Sequence, residues 1–155
     1  MTKNILFIYP NATNTPSIPN AIPILSGIAK ELHWEMSYFD MFVYEKVDVT
    51  DRESSGEFKH SERNINLLPL DNLVFDLQHK IDEFKPDVIV ITCISFEYEF
   101  LLTFFSKIII PYNVITVIGG IHATLKPDDV SRSNLFDLVC VGEGEESFSE
   151  ILFRI

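Results

Sequence analysis

The sequence predicts an α/β protein whose parallel sheet is covered by helices on both faces, and three observations carry that expectation. Short continuous apolar runs alternate with segments of helical periodicity. The runs are rich in Ile and Val and bounded by Pro, Gly or Asp, as strands buried on both faces are. The chain has 155 residues, 46% of them hydrophobic and 23% charged, which suits one domain around one sizeable core. Residues 1–155 are accordingly read as a single domain.

Ile5-Leu-Phe-Ile-Tyr9 is the first strand, stopped by Pro10. After a polar loop over 11–17, Ile18, Ile22, Leu25, Ile28 and Leu32 recur at helical spacing, with Pro19 and Pro23 near the start, where a helix tolerates proline. Residues 34–40 form a second, weaker strand. A helix over 71–84 carries Leu73, Leu77, Ile81 and Phe84 on one side, and 87–92 is the third strand. A further helix spans 96–109, a fourth strand spans 114–118 and ends in Gly119-Gly120, a fifth strand spans 136–141, and the last helix spans 145–153. Right-handed crossovers leave few ways to join such elements, and the flavodoxin-like (Rossmann-like), doubly wound order 2-1-3-4-5 fits five strands. Segment 41–70 is longer than an ordinary connection and is read as a mobile surface insertion in preference to a lid. The chain stops at Ile155, about three turns into the last helix and without a glycine exit, so a longer parent protein is expected.

Twelve basic against 23 acidic residues give a net charge of −11, the wrong sign for a protein that must neutralise nucleic-acid phosphates. The apolar stretches around 87–94 and 108–121 fall short of a bilayer span, and the N-terminal apolar run is too short for a signal peptide. A cytoplasmic location is expected. Cys93 and Cys140 offer neither a disulfide framework nor a metal cluster, and are read as small core hydrophobes.

In an open parallel sheet, ligands bind beyond the carboxyl ends of the strands, which nominates four loops. Gly119-Gly120 suits a sharp turn or a ligand lying against bare backbone; a plain turn would use the pair equally well. His122 and Thr124 follow at the same mouth, although a lone histidine is more often a satisfied loop residue. Gly142-Glu143-Gly144 places a carboxylate between two flexible positions, as a hydrogen-bonding group or a helix cap. Ser95 offers a hydroxyl past the third strand, or else caps the next helix. The loop with Asn11, Thr13, Asn14 and Thr15 loosely suggests a phosphate cradle without its glycines, which leaves an FMN or nucleotide binder as a minor alternative. His33, His60 and His79 receive no role. Hydrolase, zinc-protease and paired-carboxylate constellations are missing, as are the acidic cluster and lysine of a phosphoacceptor receiver domain.

The string Val117-Ile-Gly-Gly-Ile-His-Ala-Thr-Leu-Lys-Pro127, followed by Phe136-Asp-Leu-Val-Cys-Val-Gly-Glu-Gly-Glu-Glu-Ser-Phe148, closely resembles the N-terminal cobalamin (B12)-binding domain of B12-dependent radical SAM enzymes. Tyr9-Pro10 and the proline-bearing first helix extend the likeness, which is weakest across 41–70. The resemblance implies a flavodoxin-like fold, with the dimethylbenzimidazole tail in a groove beside the first, third and fourth strands and the corrin at their carboxyl ends. It further implies that Gly119 and Gly120 let the tail pass close to the backbone and that Ser95 hydrogen-bonds near it. His122, Ala123 and Thr124 would border the groove, and Gly142 and Glu143 would close its far side. Tyr9 and Asn11, at the end of the first strand, complete the candidate cofactor-binding set.

The Asp-x-His-x-x-Gly motif of methionine-synthase-type B12 domains is absent, so the resemblance implies no protein imidazole beneath the cobalt. The Cys-x-x-x-Cys-x-x-Cys triplet that would hold a [4Fe-4S] cluster for S-adenosylmethionine chemistry is absent too. No catalysis is expected of this chain alone; a radical SAM domain elsewhere in the parent, a methyltransferase or related enzyme, would supply it. The alternative is a domain that keeps the fold, has lost B12 and serves docking or substrate gating, with Phe96 and Tyr98 filling the groove.

Overall fold

The structure is a computed structural model, and it describes residues 2–12, 18–45 and 67–155. Five parallel strands lie in the order β2-β1-β3-β4-β5, as the sequence predicts. β1 (Asn4–Tyr9) and β3 (Val88–Thr92) are central and buried along nearly their whole length, β2 (Glu35–Asp40) and β4 (Ile115–Gly119) flank them, and β5 (Leu138–Val139) is a short edge. Among the described residues six α-helices accompany them: α1 (Ala21–Glu31), α2 (Leu70–Phe84), α3 (Ser95–Phe105), α4 (Ile121–Leu125), α5 (Pro127–Arg132) and α6 (Glu145–Arg154).

Side chains alternate across the sheet. Leu6, Ile8, Ile89, Ile91 and Ile118 meet Leu73, Leu77 and Ile81 of α2 and Leu101, Phe104 and Phe105 of α3 on one face. Ile5, Phe7, Val88, Val90 and Val117 meet Ile22 and Ala29 of α1 and Phe148 and Leu152 of α6 on the other. Polar ties fix strand ends. The backbone N–H of Asn4 donates to Asp87 Oδ2 at 2.8 Å and its side-chain amide to the Phe84 carbonyl at 2.9 Å, which docks β1 to the turn after α2. That helix ends at Lys85 in the left-handed region, φ 51°, immediately before Pro86, a normal helix stop. Asp137 Oδ2 accepts from both the N–H and the hydroxyl of Thr116, each at 2.8 Å, and seats β5 beside β4.

Four expectations need correction. The first helix begins at Ala21, since Pro19 serves as the turn whose carbonyl accepts from Ile22 N–H at 3.0 Å. The helix expected over 96–109 stops at Phe105. The fifth strand, expected over 136–141, is only Leu138–Val139, closed at its ends by backbone bonds from Asp137 N–H to the Thr116 carbonyl at 3.0 Å and from Cys140 N–H to the Ile118 carbonyl at 2.8 Å. The expected loop after β4 contains α4 and α5; Pro127 opens α5 at its first turn, followed by Asp128 and Asp129, where proline and carboxylates favour a helix start. In the segment 41–70, a 3₁₀ turn (Met41–Val43) leads to Tyr44, which forms a parallel bridge with Leu68; residues 46–66 of that expected insertion lie outside the described residues. Among the described residues, no helix is long and apolar enough to cross a membrane.

Candidate functional site

A cavity of about 440 Å³ opens between α1 and α6 over the carboxyl ends of β3, β4 and β5. Its floor is Val90 and Val117, its walls are Ile24 and Leu25 of α1 and Phe148 and Ile151 of α6, and its rim is the backbone of Gly119, Gly120, Gly142 and Glu143. The space exists because α1 commits only Ile22 and Ala29 fully to the core, leaving Ile24 48% exposed. The lining is apolar with a few convergent polar groups, and the volume falls within the roughly 300–1,000 Å³ of small-molecule sites.

Two glycines at the end of β4 differ in why they are glycine. A Cβ on Gly119 would meet Cys140 Cβ at 3.6 Å, an ordinary contact. One on Gly120 would stand 2.7 Å from the Cys93 carbonyl oxygen and 2.8 Å from Thr92 Oγ1, and its φ of +95° already excludes most side chains. Gly120 is therefore required by the protein's own backbone, where the chain leaving β4 runs beside the loop after β3. Gly142 also has positive φ, +84°, with open space around it. The rim is held by Thr124, whose hydroxyl donates to the Gly120 carbonyl and accepts from the Gly142 N–H, both at 3.0 Å. Cys140 Sγ lies 3.1 Å from Ser147 Oγ at the base of α6.

His122 and Ala123 face the other way, toward α3. The imidazole is 4% exposed, stacks on Tyr98 with centroids 3.9 Å apart, and places Nδ1 3.1 Å from Ser95 Oγ. Burial, with the nearby Lys126 ammonium, pushes its pKa below the usual histidine range. Ser95 is the first residue of α3 and caps nothing; Glu97 does so instead, its carboxylate accepting from Ile94 N–H at 3.1 Å. Burial beside Glu97 pushes the Cys93 thiol up to about 12. At the end of β1, Tyr9 is half-buried and its phenol is likewise raised to about 12 by burial and by Glu97. Asn11 is buried at φ 40° and donates to Asp40 Oδ1 at 3.0 Å, which joins the ends of β1 and β2.

Of the ten residues nominated from sequence, the structure brings Gly119, Gly120, Thr124, Gly142 and Glu143 together around the cavity. Ser95, His122 and Ala123 stand on the α3 side, and Tyr9 and Asn11 at the first strand's end. Phe96 and Tyr98 do not line the cavity, so they do not fill a groove there. Sequence reasoning missed the helical walls. Ile24 stands off the apolar stripe of α1, and that displaced Ile was the one available sign. His33 and His79 are exposed, while His60 and residues 13–17 of the polar loop lie outside the described residues. No group of three metal-ligating side chains occurs among the described residues.

A family model, the B12 binding domain, matches residues 56–152. No curated protein matches the chain. Two solved structures of the radical S-adenosylmethionine methyltransferase TsrM from Kitasatospora setae share the fold. One, with tryptophan substrate and an S-adenosylmethionine analogue bound, matches at 17% identity and a TM-score of 0.65 over 98% of this chain. The other, with cobalamin and a [4Fe-4S] cluster bound, matches at 18% identity and a TM-score of 0.65 over 99% of it. This chain spans about a quarter of their length, 25% and 26%.

Proposed function

This chain belongs to the B12-binding domain family, and we propose that it is the cobalamin-binding module of a radical SAM enzyme whose catalytic domain lies outside this sequence. The observation that carries the reading is the apolar cavity at the carboxyl ends of β3 and β4, bounded by the Gly119-Gly120 and Gly142-Glu143 turns. A flat, weakly polar benzimidazole suits walls made of Ile24, Leu25, Phe148 and Ile151. The few polar groups sit at the rim, where the backbone at Gly119 and the Glu143 carboxylate can meet the tail's sugar or the N–H donors of corrin amides. Exposed Ile121, Leu125 and Val141 beside the mouth give the corrin an apolar bed.

Bound cobalamin would supply a cobalt that carries the group to be transferred; this chain's part is to bind and orient it. Among the described histidines none lines the cavity. Methyl transfer is the reaction class proposed for the parent enzyme, with S-adenosylmethionine and a [4Fe-4S] cluster held by the other domain. Two free thiols fit a cytoplasmic setting.

The test is to incubate the purified chain with hydroxocobalamin, desalt it and record the visible spectrum. Corrin absorbance retained near one equivalent is expected, and a Leu25→Trp chain, with the cavity filled, should retain less than about a tenth of it. A colourless wild-type protein overturns the reading, and equal retention by Leu25→Trp moves the tail out of this cavity.

A further inference from the structure

We infer that Thr124 is a positioning residue, which fixes the turn after β5 against the turn after β4 and thereby sets the mouth of the cavity. The inference rests on the cobalamin reading above for its consequence, and on hydrogen-bond geometry for its substance. A threonine hydroxyl has one proton and two lone pairs. Here the proton goes to the Gly120 carbonyl, and one lone pair takes the Gly142 N–H, both at 3.0 Å. The hydroxyl therefore has no proton left for a ligand, although Thr124 is exposed and borders the cavity.

Both glycines that it joins have positive φ, +95° and +84°, so each marks a place where the chain reverses sharply. The Gly120 turn is tied to the loop after β3 by backbone bonds on either side, Cys93 N–H to the Gly119 carbonyl at 3.3 Å and His122 N–H to the Cys93 carbonyl at 3.2 Å, whereas Gly142 has open space around it. β5 pairs with β4 through Leu138 and Val139, and its last backbone bond to that strand, Cys140 N–H to the Ile118 carbonyl at 2.8 Å, falls two residues short of Gly142. The Thr124 hydroxyl thus links the backbone-bonded turn after β4 to the turn that begins just beyond the last β5–β4 bond. Gly142 and Glu143 form one side of the mouth, and their position follows from that link.

Thr124→Val keeps the shape and removes the hydroxyl; Thr124→Ser keeps the hydroxyl. Amide exchange on the 155-residue chain reads the link directly. The Gly142 amide should exchange about tenfold faster in Thr124→Val and return to the wild-type rate in Thr124→Ser, with the β4 amides unchanged in both. Hydroxocobalamin affinity should weaken about three- to tenfold in Thr124→Val, the worth of one hydrogen bond, and recover in Thr124→Ser. Unchanged Gly142 exchange in Thr124→Val overturns the inference, and weaker binding without that change would make Thr124 a direct ligand contact instead. Faster exchange with unaltered affinity overturns its role at the mouth. If the wild-type chain retains no hydroxocobalamin, the functional reading fails by itself, and the exchange comparison still decides whether Thr124 holds the turn.

Discussion

On the α2/α3 face of the sheet, α2 buries Leu73, Leu77 and Ile81 and α3 buries five residues, whereas on the α1/α6 face α1 buries only Ile22 and Ala29 and a cavity remains. The same strands serve both faces. β3 sends Ile89 and Ile91 to the filled side and Val88 and Val90 to the other; β4 sends Ile118 and Val117 likewise. One methylene per position, repeated on neighbouring strands, lowers the floor on one side. A site here is a local shortfall in packing, set by strand side chains as much as by loops.

The contrast can be tested by truncating each face in turn. Leu77→Ala, at a fully buried position, should cost about 2–5 kcal/mol of unfolding free energy, read by chemical denaturation. Leu25→Ala, half-buried at the cavity wall, should cost about 1 kcal/mol or less, because it enlarges an existing space. Equal costs would mean that the α1 face is packed as tightly as the other.

The contrast narrows to a single peptide bond at β4's end. Gly120→Ala forces a side chain into the backbone of Cys93 at positive φ and should cost about 2–4 kcal/mol. Gly119→Ala, whose Cβ makes an ordinary contact, should change stability by about 0.5 kcal/mol or less. A mild Gly120→Ala would show that the contact between the β4 end and the loop after β3 is looser than its geometry.

The smallest effect concerns pH. His122 is packed on the filled face with its pKa pushed below the ordinary 6.5, so the unfolded chain takes up a proton that the folded chain refuses. Stability should therefore fall as pH drops from about 6.5 toward the lowered folded value, and His122→Asn should flatten that part of the profile. Lys126 opposes the protonated form while Asp129 and Glu99 favour it; an identical slope in the variant would assign the acid sensitivity to other groups.

Strand order, and the loops that bring five of the ten nominated residues around the cavity, were legible in the sequence for a physical reason. Runs such as Val88-Ile-Val-Ile-Thr92 admit little but a buried strand, and ligand loops must follow strand ends. The direction of His122 was not legible, because α4 is one turn and a half of helix with no period to read, and the Tyr98 ring that captures the imidazole comes from a distant segment. The Gly119-Gly120 pair was legible as a sharp turn or as bare backbone for a ligand; that the atoms nearest a Gly120 Cβ belong to Thr92 and Cys93 follows from β3 and β4 ending side by side. The α1 wall escaped because a residue that lines a cavity looks, in sequence, like one that has merely left the stripe.

The short edge strand β5 bears on how copies of this chain meet in a crowded solution. An open sheet has two edges, and an exposed row of unpaired backbone groups invites strand addition by another molecule. Here one edge offers just Leu138 and Val139, with Asp137 turned inward to Thr116, and the other, β2, is bracketed by Glu35 and Asp40. With a net charge of −11 on every copy, edge-to-edge growth is opposed at both margins. Ile121, Leu125 and Val141 are exposed beside the cavity, and Phe75, Ile109, Tyr112 and Phe153 are more exposed still away from it, so among the described residues it is apolar side chains, more than strand edges, that this surface presents to other copies.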